Sequence, residues 1–212
     1  MPTCVVGLGN PGPAYAATRH NLGFAVADAL VAARGMMWRR RCWRPYWLAE
    51  AAEPATQPQR ICKPATFMNR SGLAVADLCR RYGYAPADLL IVYDDLHLPL
   101  GSLRARAGGS AGGHNGMQSV LDALGTDTVP RLRLGIGAPE GDPIAHVLGP
   151  FAAHEQAPVA ALLAAATAAV QCLCRLPWDR AVQRVNRGAG TASTIYGLAA
   201  DGPPGAELSS LN

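Results

Sequence analysis

Six polar side chains stand where chemistry would need them, each at the edge of an apolar or glycine-rich run. Asn10 follows a strand-like stretch (residues 3–8), His20 opens a helix-like stretch (19–34), and Asn69 follows the stretch 60–63. Asp94 ends the continuous apolar run 89–93, and His114-Asn115 closes a glycine-rich turn. An imidazole and a carboxylate are the usual groups of general acid–base chemistry, and neutral amides bind neutral polar substrate groups. Each residue alone has an ordinary structural role. Asn10 before Pro11 forms turns, Asn69 can cap a helix, Asn115 before Gly116 is a turn dipeptide, and Asp94 is a strand end in solvent. Together they place a base, a carboxylate and three amides along one edge of a sheet.

Two glycine motifs offer competing chemistry. Gly7 to Gly12 spells G-x-G-x-x-G after a strand, the dinucleotide-binding fingerprint. That fingerprint needs a helix to start inside the turn and hold a pyrophosphate, and Pro11, Gly12 and Pro13 delay any helix by several residues. Gly108-Gly109-Ser110-Ala111-Gly112 spells G-x-S-x-G, with His146 or His154 downstream as possible bases. A nucleophile elbow needs a buried strand before its serine and a helix directly after it. Here the preceding stretch alternates with Arg104 and Arg106, and Gly113 follows, so a plain glycine loop is expected.

The elements that must position these residues read as alternating strands and helices. The stretches 3–8, 60–63, 89–93, 101–106 and 131–136 read as strands. Helices are expected at 19–34 with Thr18 as N-cap, at 68–82, at 117–124 and over 157–186 with a break at Pro177. The stretch 36–59 holds three of the four Trp and the Arg39-Arg40-Arg41 run, and is read as one or two irregular strands. Such alternation implies an α/β fold: a single domain with a twisted, mixed and partly parallel sheet flanked by helices, its reactive groups beyond the carboxyl ends of the strands. The domain is read as residues 1–187 and the Gly/Ala/Ser/Thr/Pro-rich residues 188–212 as a flexible C-terminal tail.

With 212 residues, half of them apolar and 16% charged, the chain is neither disordered nor dependent on disulfides for a core. Its six Cys form no C-x-x-C pair and are read as buried reduced thiols; no metal and no cofactor are expected. The apolar stretch 157–170 is short for a bilayer and no secretory leader is visible, so a cytoplasmic protein with no membrane contact is expected. Of the 19 basic residues all but Lys63 are Arg, the side chain suited to bidentate phosphate contact. A mild expectation of a nucleic-acid partner results.

Five separated segments resemble the bacterial peptidyl-tRNA hydrolases in order and spacing: GLGNPGPAYAATRHNLGF (7–24), KPATFMNRSG (63–72), VYDDLHLPLG (92–101), GGHNG (112–116) and RLRLGIG (131–137). The resemblance covers about residues 3–187, apart from the Trp-rich stretch 38–58. It implies a monomer that cleaves the ester between a peptide and the 3′ ribose of tRNA, recycling tRNA from stalled translation. In that likeness His20 is the general base, Asp94 its orienting carboxylate, and Asn10 the residue that separates N-blocked from free aminoacyl groups. Asn69, His114 and Asn115 hold substrate, and Tyr15 and Phe67 meet the terminal nucleotides. The pairs Arg104/Arg106 and Arg131/Arg133, each two apart on a strand face, are expected to hold phosphates of the peptidyl-tRNA backbone. The chain departs from the common pattern at Tyr93, His97 and Ser110-Ala111. Relatives that bind RNA without hydrolysis form a second reading, against which the intact His20, Asp94 and Asn10 argue.

Overall fold

The structure, a computed structural model, describes residues 1–53 and 57–188; the tail expected at 188–212 lies, beyond Gly188, outside the described residues. Chain order gives β1 (Cys4–Gly7), α1 (Leu22–Ala33), β2 (Tyr46–Glu50), β3 (Arg60–Pro64), α2 (Ser71–Tyr82), β4 (Leu89–Asp95), β5 (Leu103–Arg106), α3 (Asn115–Leu124), β6 (Arg131–Gly135), α4 (Pro143–Leu148), α5 (Gln156–Arg175) and α6 (Trp178–Gly188). The six strands form one sheet in the order β2-β3-β1-β4-β6-β5. The four inner strands run parallel and the two edge strands antiparallel, the mixed sheet that the alternation of elements implies.

Strand alternation divides the core in two. Val5, Leu90, Val92, Leu132 and Leu134 join the inner faces of α1, α5 and α6, whereas Cys4, Val6, Leu89, Ile91 and Tyr93 join α2 and α3. Because helices cover both faces, β4 is buried at all seven positions, which is why it reads as an unbroken apolar run. The central strand therefore ends with two acids brought to the sheet's carboxyl edge.

Two glycines let α1 lie directly on that edge. A Cβ on Gly23 would run into the carbonyl oxygens of Leu8 and Val92, and one on Gly7 into the carbonyl of Gly23. This contact brings the turn just before α1, residues Arg19–Asn21, against the end of β4. The helix expected from 19 thus begins as this single turn, and Thr18 does not cap it: its hydroxyl donates to the Tyr15 carbonyl at 2.8 Å.

Two expectations need correction. The apolar stretch 157–170, read as short for a bilayer, lies within the longer helix α5, the Thr167 hydroxyl bonding back to the Leu163 carbonyl at 2.8 Å. With its preceding turn, Ala153–Arg175 is long and apolar enough to cross a membrane by length and composition; in the fold its inner face (Val159, Leu162, Ala166, Val170, Leu173) belongs to the core. The cysteines are all free thiols but not all buried, since Cys42 is exposed and Cys79 and Cys172 are half-buried. The Trp-rich stretch, read as one or two irregular strands, holds one, β2, to which Arg39 adds an isolated backbone bridge at Leu48.

Candidate active site

Two histidines converge on one buried carboxylate. His20 Nδ1 lies 3.0 and 2.9 Å from the two oxygens of Asp94, and His114 Nε2 lies 3.1 Å from Oδ1. The neighbours fix the proton positions. His114 is the N-cap of α3 and its Nδ1 accepts the Met117 backbone N–H at 3.0 Å, so the His114 proton sits on Nε2 and is donated to Asp94. Asp94 has no hydrogen to offer, so His20 also donates to it, from Nδ1. The lone pair of His20 then lies on Nε2, which no protein hydrogen bond occupies among the described residues. Burial alone would raise the Asp94 pKa, but the attraction of His114 and the hydrogen bonds from both rings outweigh it and hold the carboxyl far below the usual range.

His114 was expected to hold substrate. Both its nitrogens are engaged within the protein, by Asp94 and by the Met117 N–H, so although the ring lines the cavity it presents no free nitrogen there. Tyr93 packs beneath it, with ring centroids 4.7 Å apart, and the His20 ring lies 4.8 Å away on another side. The ligand atoms of His20, Asp94 and His114 lie within 4.8 Å of one another, a spacing compatible with a metal ion. The donor set does not suit one: a metal on His114 Nε2 would require the proton on Nδ1, where Met117 already presents its N–H.

His20, Asp94, His114 and Asn115 line a cavity of about 370 Å³, closed on one side by Pro143, Ile144 and Val147 of α4. Asn10 does not line it. It lines a recess of about 270 Å³ together with Asn21, Phe24, Asp28, Trp47 and Lys63. Its amide is oriented by the protein: Oδ1 accepts the Met68 N–H at 2.8 Å, leaving Nδ2 as the free donor. Asn21 clamps the Asn10 backbone from both sides, accepting its N–H at 2.7 Å and donating to its carbonyl at 2.9 Å. Sequence reasoning passed over Asn21, although its place next to His20 is a signal. Tyr15 and Phe67 meet edge to face at 6.2 Å, Phe67 being 55% exposed, and Asn69 is exposed on the neighbouring turn.

The arginines divide. Arg104 and Arg106 project from β5 into solvent, alternating with buried Leu103 and Ala105. Arg131 does not join them: it is 1% exposed and donates to the carbonyls of Val129 (3.0 Å), Gly109 (2.7 Å), Ser110 (3.0 Å) and Asp127 (2.8 Å). It staples the glycine loop that leads to His114, four of its five N–H groups bonded to carbonyls and the side chain buried away from any phosphate in solvent. Arg133 is tied to Asp95, whose Oδ1 also accepts the His97 N–H at 2.9 Å. The reason is cover: the glycine loop folds over the face on which Arg131 lies and supplies carbonyls that need donors. Arg131→Met is expected to cost about 3 kcal/mol of stability, because buried carbonyls lose their partners. Urea unfolding of wild type and variant checks this, and an equal midpoint would refute it.

The loop containing Ser110 is no elbow, since α3 starts only at Asn115, and His146 is turned to the Gly137 carbonyl at 3.1 Å. Likewise α1 starts well beyond Gly12, too late for a pyrophosphate turn.

The sequence model of the family described as peptidyl-tRNA hydrolase matches residues 4–193, the Trp-rich stretch included. A peptidyl-tRNA hydrolase of Synechococcus sp. (strain JA-3-3Ab) is 48% identical over 86% of this chain and 81% of its own length. One of Synechocystis sp. is 49% identical over 80% and 88%. The crystal structure of peptidyl-tRNA hydrolase from Acinetobacter baumannii superposes with a TM-score of 0.81 at 32% identity, covering 87% of this chain and 94% of that one. Carrying the two-histidine carboxylate site on the same fold, at near half identity over most of its length, the chain belongs to the peptidyl-tRNA hydrolase family.

Proposed function

We propose that this enzyme, a hydrolase of peptidyl-tRNA, cleaves its substrate by direct attack of water, with His20 as general base. The observation that carries the reading is the proton arrangement at Asp94: the carboxylate takes the Nδ1 proton of His20 and leaves Nε2 unoccupied in the cavity. Water gives a proton to Nε2 as its oxygen attacks the ester carbonyl carbon. The bond to the ribose 3′ oxygen then breaks, and the same proton passes to that oxygen as it leaves. Asp94 steadies the imidazolium formed in between, and His114 keeps Asp94 ionised and aimed. Hydrolysis of N-acetyl-aminoacyl-tRNA by the purified protein is the direct test. We read the protein as a cytoplasmic monomer that frees tRNA from peptides stranded by stalled translation.

Asn10 is read as the residue that selects N-blocked substrates, with Tyr15 and Phe67 against the terminal nucleotides and Asn69 and Asn115 beside the substrate backbone. The recess around Asn10 contains a carboxylate, Asp28, which could have welcomed a free α-ammonium. It is already engaged by Lys63 Nζ at 2.5 Å and by Trp38 Nε1 at 2.7 Å. An ammonium would therefore meet a neutralised acid and a neighbouring cation. Asn10→Ala is expected to lower the blocked-to-unblocked ratio of kcat/KM about tenfold, the worth of one or two neutral hydrogen bonds. Asn21→Ala should move the ratio in the same direction while leaving kcat for the blocked substrate largely intact, since it acts through Asn10. An unchanged ratio in both variants would place the selection elsewhere.

Arg104 and Arg106 are read as the contacts to the substrate's phosphates. Each contact removed should reduce the slope of log affinity against log salt by about 0.7 to 0.9. The loss should appear in KM with kcat little changed, because ground and transition states share these contacts. Salt slopes for Arg104→Ala and Arg106→Ala equal to wild type would refute the assignment.

A further inference from the structure

The stretch between α1 and β2 carries a charge and aromatic pattern that the reaction does not use. Arg39, Arg40, Arg41, Cys42 and Trp43 are all exposed, and Trp43 is 68% exposed, a large indole surface left in water. Together with α2 this stretch encloses an open groove of about 720 Å³, lined among others by Arg40, Trp43, Arg44, Leu73 and Arg80. The Arg41 guanidinium lies 5.9 Å over the Trp43 ring, and Arg40 lies 5.0 Å over Trp47. One carboxylate, Asp77, is present, bound by Arg44 at 2.8 Å and by Arg80 at 2.6 Å. Three guanidiniums, Arg40, Arg44 and Arg80, line the groove with a single acid, and a fourth, Arg41, stands at its rim over the indole, an excess of positive charge around one exposed aromatic side chain.

We propose that this groove binds a single-stranded RNA segment separate from the substrate's tRNA, with phosphates on Arg41, Arg44 and Arg80 and a base stacked on Trp43. Planar cations beside an indole are the chemistry by which sequence-tolerant single-strand sites hold successive nucleotides. An acidic peptide would satisfy the charge but not use the stacking face. The separateness of the strand follows from the sheet. The groove borders β2 and the Arg104/Arg106 face lies on β5, the two opposite edges of a six-stranded sheet. They are five strand spacings apart, roughly 24 Å. The catalytic groups sit between them, at the ends of β1 and β4. A 3′ end arriving from the β5 edge finishes at its ester, so its own RNA does not continue to the β2 edge. That separateness rests on the placement of substrate phosphates at β5.

The experiment titrates a fluorescein-labelled oligouridylate of about a dozen nucleotides, by anisotropy at several salt concentrations, into the full chain. The variants are Trp43→Ala, Arg41→Gln/Arg80→Gln and Arg104→Ala/Arg106→Ala, and kcat/KM on N-acetyl-aminoacyl-tRNA is measured in parallel. Trp43→Ala should weaken oligonucleotide binding about tenfold. The Arg41/Arg80 pair should lower the salt slope by about 1.4. Both should leave kcat/KM at the wild-type value, and the β5 pair should show the reverse pattern. Unchanged oligonucleotide binding in the Trp43 and Arg41/Arg80 variants overturns the proposal, as does competition by an acidic peptide but not by RNA. A salt-dependent loss of kcat/KM in those variants overturns the separate-strand assignment. If the β5 pair then keeps the wild-type slope, it is the placement of the substrate that has failed.

Discussion

His20→Ala is expected to lower kcat on N-acetyl-aminoacyl-tRNA by about 10²- to 10⁴-fold, the usual worth of a positioned general base. The affinity for deacylated tRNA should stay at the wild-type value. Water then loses the imidazole Nε2 that takes its proton, and the other ring at the site, His114, has both nitrogens committed. A near-normal kcat would end the mechanism, and the unchanged affinity shows that the variant is folded. The same change alters acid stability in a stated direction. Asp94 is ionised far below the ordinary carboxylate range in the folded protein, so its contribution is full above the unfolded carboxylate pKa, about 3.9, and is lost as pH falls through the folded value. Removing His20 takes away part of what lowers that pKa. The stability deficit of His20→Ala should therefore be largest at neutral pH and narrow as the pH falls below 4 or so. Urea unfolding at neutral and acid pH reads this, and a deficit that widens in acid would contradict the role given to Asp94.

How far the sequence reveals this site depends on the kind of interaction that makes each part. Asp94 is legible because a strand covered on both faces must be apolar along its length, and a pair of acids at its end can lie only at the sheet's edge. His20 is legible by its place before a helix, yet what carries it to Asp94 is the contact of Gly7 and Gly23, which shows in the sequence only as two glycines. Arg131 and Arg104 look alike in the sequence, each followed two residues on by another arginine. Alternation tells which face a strand residue takes and not what loop lies over that face, so the buried staple and the exposed cation are separated only by the path of residues 108–113. His114 is a similar case. Its position after the glycines marks it as functional, but its loss of both nitrogens to Asp94 and Met117 depends on how α3 is aimed. Asn21 and Asn10 meet through a backbone clamp across 11 residues, which no periodicity encodes.

Asp94→Asn tests whether the carboxylate works by charge, by position or by choice of tautomer, and the geometry favours the last. In the wild type both oxygens of Asp94 face His20 Nδ1, at 3.0 and 2.9 Å, and Oδ1 also accepts from His114. An Asn in the same place can keep its carbonyl at the Oδ1 position, where it still serves His114. Its NH2 then occupies the Oδ2 position and points a hydrogen at His20 Nδ1. Two donors cannot face each other at hydrogen-bond distance, so His20 answers by moving its proton to Nε2 and accepting at Nδ1. The ring stays where it was while the lone pair that takes the proton from water is gone. The loss in kcat should be about 10³- to 10⁴-fold, as for the comparable change in a Ser-His-Asp triad. KM should change little, because no substrate contact is removed. A nitrogen-labelled imidazole spectrum at neutral pH should show the proton of His20 moved from Nδ1 to Nε2. The double variant His20→Ala/Asp94→Asn should be no slower than His20→Ala alone, since Asp94 acts only through the ring that has been removed. A double variant slower by the product of the two single losses would mean that Asp94 touches the reacting atoms in its own right.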